Sequence, residues 1–169
     1  QSAIRNRKGV MCGIVGYWSF EKVVDEHEAI LTGMSAPMTP RGPDSHGWWA
    51  DADVGVGFGH RRLAIVDLTS EGHQPMHSAS GRFVITFNGE IYNFQTLRCE
   101  LETAGQRFRG HSDTEVMLAA FEEWGVVAAV KRMVGMFAFG LWDRRERMLY
   151  LGRDRMGEKP LYYGWLGKT

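Results

Sequence analysis

The chain has 169 residues, 44% hydrophobic and 24% charged, with Lys+Arg and Asp+Glu at 20 each and a formal net charge of zero. That size suits one domain with a sizeable core, and the balance gives no electrostatic footprint for nucleic acid or an anionic membrane. No apolar run could span a bilayer, no signal-peptide pattern follows the basic stretch at 4–8, and Cys12 and Cys99 suit a reducing cytoplasm rather than a disulfide scaffold.

Residues 1–10 have no amphipathic period and no methionine of their own. They read as a leader, a mis-set start or an added remnant, with a propeptide cut before Cys12 as the alternative; the domain proper is 11–169. A strand is expected over 14–20, with Cys12 at its edge. Asp25 with Glu28 resembles a helix start, Ile30, Leu31 and Met34 would be its buried face, and Pro37 and Pro40 discourage its continuation. Residues 54–59 alternate side chain with glycine, so one strand face is bare and another layer can approach closely. Residues 82–87 are β-rich, and Asn88-Gly89 is a strong tight-turn signal. Asn93 would cap a helix carrying Leu97, Leu101 and Ala104, closed by Gly105. Ser112-Asp113-Thr114-Glu115 is a capping box opening a helix that ends at Gly125. Further strands are expected over 136–142, apolar on both faces and hence covered on both sides, and over 148–151 and 161–165. Two mid-chain helical segments with strands before and after argue for sheets packed inside helical layers.

Met11-Cys12-Gly13 places a cysteine behind a candidate initiator. With Met11 removed, Cys12 would carry both a thiol and a free α-amine, whose ordinary pKa of about 7.7–8.0 suits it to take the thiol proton. Four further segments carry polar chemistry: 41–47 (RGPDSHG), 60–68 with 72–76 (HRRLAIVDL, GHQPM), 88–93 (NGEIYN) and 111–116 (HSDTEV). Singly each has a structural reading: a turn for Arg41–Asp44, a hairpin turn for Asn88-Gly89, a first-turn helix acid for Asp113, a surface cation for Arg62.

As an ordered set, closing with Arg153-Asp154-Arg155-Met156-Gly157-Glu158-Lys159-Pro160-Leu161-Tyr162-Tyr163-Gly164, they resemble the glutaminase domain of the glutamine-hydrolysing asparagine synthetases, a class II glutamine amidotransferase. The resemblance covers 11 to about 164. It implies an α+β fold, a four-layer αββα sandwich of the N-terminal-nucleophile hydrolase type. It implies that Cys12 attacks the glutamine side-chain amide and that the Asn88 amide and Gly89 N–H hold the oxyanion. Arg62 would pair with the substrate carboxylate, Glu90 and Asp113 with its ammonium, and Leu63, Ala64, Ile65 and Val66 would line the pocket by backbone. The partners implied are L-glutamine, a C-terminal synthetase domain that receives ammonia, and a second copy of the chain. No metal or cofactor is expected here; ATP and Mg would serve the synthetase domain, which would lie beyond a chain ending where a linker begins. His111 and the Gly157-Glu158-Lys159 form depart from the housekeeping synthetases, which leaves the ammonia acceptor, aspartate or another carboxylate, open.

The rival is a catalytically silent interaction domain that keeps the fold, since an amide-linked Cys12 has no basic amine. The other polar residues read blandly. His73 and His77 are four apart but separated by Pro75, so no metal is expected there. Cys99 falls inside a helix and reads as a packed thiol, and Trp48, Trp49 and Trp142 as core and rim.

Overall fold

The computed structural model describes residues 11–20, 26–63 and 72–167. The leader at 1–10, the helix-start residue Asp25 and the pocket residues Ala64, Ile65 and Val66 lie outside the described residues. Two antiparallel sheets form the centre. The first contains β1 (Gly13–Trp18), β2 (Ser45–Asp51) and β3 (Val56–Arg62) in the order β1-β3-β2. The second contains β4 (Met76–His77), β5 (Phe83–Ile91), β6 (Gly135–Asp143) and β7 (Met148–Arg153) in chain order.

Helix α1 (His27–Ser35) covers the first sheet, and α2 (Phe94–Thr103), α3 (Asp113–Trp124) and α4 (Val126–Arg132) cover the second. The sheets face each other, so the layers run helix, sheet, sheet, helix. Strand alternation explains this arrangement. Phe83, Ile85 and Phe87 of β5 and Phe137, Phe139 and Leu141 of β6 are buried in one cluster with Leu97, Leu101, Val116, Met117 and Phe121 of the helices. Val84 and Trp142, on the opposite face, join Val56 and Phe58 between the sheets. Both faces of β5 and β6 are therefore withdrawn from water. Burial of each large apolar side chain favours this state by about 1.5–3 kcal/mol.

The bare glycine face does admit another layer. A Cβ on Gly59 would meet Val15 at 2.8 Å, and one on Gly57 would meet Leu31 of α1 at 3.1 Å. Because α1 sits down on that flat face through a narrow stripe, Leu31 is fully buried while Ile30 and Met34, expected inside, are each 39% exposed.

Several expectations are corrected. Asn88-Gly89 makes no turn: β5 runs through both residues, which pair with Ala138 and Phe137. A tight hairpin turn of that kind needs positive φ at both, and neither has it. Residues 161–165 form no strand. Pro160 offers no N–H and no sheet edge receives the segment, so Tyr162, Tyr163 and Trp165 stay exposed despite their β-propensity. Cys99 is exposed, because it follows inward-facing Leu97 by two residues, about 200° around the helix. Asn93 precedes α2, but its side chain donates to Arg132 O and accepts from Val134 N–H instead of capping the helix. Strand β2 and helix α4 carried no sequence signal strong enough to be expected.

Candidate active site

Strand ends build the site at one end of the sandwich. Cys12 immediately precedes β1, Arg62 closes β3 with Leu63 next, Asn88, Gly89 and Glu90 occupy the far end of β5, and Asp113 opens α3. All seven line one cleft of about 160 Å³. Ser112 fixes the entry of α3, its Oγ accepting from Glu115 N–H at 3.2 Å. Glu115 does not reach back to complete the expected capping box; its carboxylate takes the N–H groups of Arg109 and Gly110 instead.

The half-buried Cys12 thiol lies between the backbone groups of Leu63, with N–H to Sγ at 3.3 Å and Sγ to carbonyl at 3.6 Å. Burial pushes the thiol pKa up, opposed by the Leu63 hydrogen bond and the Arg62 charge. The thiol therefore needs a base to become a nucleophile near neutral pH. Arg62 is braced from behind by the 41–44 loop, where Asp44 N–H donates to Arg62 O at 3.0 Å. Gly42 lies so close to the Arg61–Arg62 peptide that a Cβ there would collide with it.

Asp113 is buried, and its Oδ2 accepts from Ile91 N–H at 2.9 Å. Burial, with the nearby charge of Glu90, raises its pKa. Two carboxylates and an arginine lining one small cleft can hold the two charged groups of an amino acid. Gly89 has a steric reason to be glycine, since a Cβ there would overlap Met136 O on β6. Its backbone N–H therefore belongs to a strand position that no side chain can share.

Sequence reading missed a buried polar brace behind Asn88. Phe87 N–H donates to Gln74 Oε1 at 2.6 Å, and Phe87 O accepts from His60 Nε2 at 3.1 Å. Gln74 Nε2 in turn reaches Thr114 Oγ1 at 3.3 Å, tying β5 to the start of α3. Burial lowers the His60 pKa to about 4, so the ring is neutral at pH 7. The signal for Gln74 lies in the 72–76 motif, of which it is the middle residue.

The closing motif is fixed by Asp154. Burial works against its charge, but the backbone N–H groups of Lys159 (3.0 Å), Glu158 (2.9 Å) and Phe137 (3.1 Å) hold its carboxyl down at about 2. Asp154→Ala would leave these donors unpaired and is expected to lower the unfolding free energy by at least about 2 kcal/mol. Since the folded carboxyl titrates below its ordinary 3.8, the stabilisation is complete above that pH and vanishes as pH falls toward about 2. Urea unfolding of both proteins between those limits checks it: the difference between them must shrink as pH falls.

No cluster of metal-ligating side chains occurs among the described residues, and no helix there is long and apolar enough to cross a membrane. Comparison with known proteins matches residues 11–169 to the glutamine amidotransferase domain family. The chain is 43% identical over 155 residues to asparagine synthetase [glutamine-hydrolyzing] 1 of Bacillus subtilis, covering 90% of this chain and 24% of that protein. It is 39% identical to asparagine synthetase [glutamine-hydrolyzing] 3 of the same organism, covering 90% and 25%. It is 37% identical to amidase chry2 of Gibberella zeae, covering 85% and 20%. The chain thus spans about a quarter or less of the length of these relatives. Among solved structures, glutamine phosphoribosylpyrophosphate amidotransferase from B. subtilis matches with a TM-score of 0.59 at 20% identity, over 79% of this chain and 35% of that one. That likeness shows a shared fold.

Proposed function

Since this chain belongs to the glutamine amidotransferase domain family, and is similar to the glutaminase part of asparagine synthetases, we propose that it hydrolyses L-glutamine through a nucleophilic, N-terminal Cys12. The observation that carries this is the convergence of Cys12, Arg62, Asn88, Gly89, Glu90 and Asp113 from four separated segments on one cleft.

In a chain beginning at Cys12, the α-amine takes the thiol proton and Sγ adds to the side-chain carbonyl carbon of glutamine. The oxyanion is held by the Asn88 side-chain amide and the Gly89 N–H. Arg62 grips the α-carboxylate with its planar fork, and Glu90 and Asp113 take the α-ammonium. The Leu63 backbone lines the pocket beside the thiol. The proton on the amine passes to the leaving nitrogen, the C–N bond breaks and ammonia departs. Water then cleaves the thioester, releasing glutamate and restoring the thiol. In this reading the ammonia serves a cytoplasmic ATP- and Mg-dependent synthetase domain of the full-length protein, with aspartate or another carboxylate as acceptor, and a second copy of the chain is a further partner.

Glutamate release from glutamine by a chain that starts at Cys12 tests the reading; a folded sample that releases none contradicts it. Asn88→Ala in that chain is expected to lower kcat by about 10²–10³-fold with KM little changed, because the donor acts on charge that develops in the transition state. A rise in KM alone would place Asn88 in ground-state binding instead.

A further inference from the structure

Lys159 has no part in the mechanism above, yet it is 4% exposed and lines the same cleft as Cys12. Lysines this buried ordinarily sit against a carboxylate. Here the carboxylate whose charge acts most on it, Asp154, accepts from backbone N–H groups, that of Lys159 itself among them. The Lys159 ammonium makes its hydrogen bond to the Met11 thioether, Nζ to Sδ at 3.0 Å. Among the described residues its three donors face one weak sulfur acceptor, which leaves most of their capacity unused. Met11 directly precedes Cys12. In a chain beginning at Cys12, the group that Nζ touches is gone and a new α-amine stands beside the thiol.

We infer that Lys159 is a positioning residue for the nucleophile, its ammonium facing the Cys12 amine and thiol and favouring the neutral amine and the thiolate. The inference rests on the N-terminal cysteine reading. A like charge disfavours the protonated amine, and an opposite charge favours the thiolate. Both move the acid limb of the nucleophile's titration to lower pH, and the pair titrates as a unit. The charges facing Lys159 are Asp154, Glu158 and the Cys12 thiol, which favour the ammonium, and Arg41, which opposes it; burial is the largest influence and lowers its pKa. Arg62 and Asp113 act on the thiol with opposite signs.

The test uses the chain beginning at Cys12 and two profiles across about pH 5–10. One is glutamate release, and the other is alkylation of Cys12 by iodoacetamide, separated from the exposed Cys99 by peptide mapping. Lys159→Met is expected to move the acid limb of both profiles up by about one pH unit, a loss of about tenfold below the limb. Lys159→Arg, which keeps the charge, is expected to stay with the parent. If the Met variant does not fold, Lys159→Gln takes its place in the same comparison. The inference is overturned if the neutral variant leaves both limbs in place, or if Met and Arg shift them equally. Failure of the underlying reading looks different: the unsubstituted chain would release no glutamate and its Cys12 would alkylate no faster than Cys99.

Discussion

Replacing Cys12 by alanine in a chain that begins there is expected to cut glutamate formation at least about 10⁴-fold while glutamine still binds. Removal of a nucleophile leaves only the rate that binding and oxyanion stabilisation supply, so the loss approaches the whole covalent contribution. Binding should survive because the groups proposed to hold the substrate sit on other elements. Arg62 closes β3, Glu90 is on β5 and Asp113 opens α3. The hydrogen bonds of the Cys12 thiol go to Leu63. Calorimetric titration with glutamine, beside a turnover assay, separates the two effects. An alanine variant within tenfold of its parent would place the nucleophile elsewhere.

The second large effect concerns the residues ahead of Cys12. A chain that retains residues 1–11 is expected to turn over glutamine at least about 10³-fold more slowly than one starting at Cys12. An amide nitrogen is not a base, and burial already holds the thiol above its ordinary pKa. Met11 also lines the cleft and lies on Lys159. Matched turnover measurements on the two forms decide this, and equal rates would remove the need for a free amine.

Much of the site was legible because its residues come in short, ordered runs whose chemistry survives without coordinates. The strands of the sandwich were legible where side chains alternate with glycine, as at 54–59, or where both faces are apolar, as at 136–142. Asn88-Gly89 misled because its dipeptide preference is local, whereas β6 pairs with both residues and fits against the missing side chain of Gly89. The aromatic run 161–165 misled for the opposite reason: its β-propensity finds no neighbouring strand. Gln74, His60 and Lys159 were hidden because their importance lies in contacts across the sandwich. A hydrogen bond from Phe87 to a side chain thirteen residues earlier leaves no periodicity to read.

The most direct measurement is the covalent state of Cys12 during turnover. A chain beginning at Cys12 is mixed with excess glutamine, quenched in acid and mapped by peptide mass. The proposed route requires a glutamyl group on the Cys12 peptide, absent when glutamine is withheld and absent in Cys12→Ala. Sustained glutamate release with Cys12 unmodified, and with the acyl group found on another residue, would contradict it.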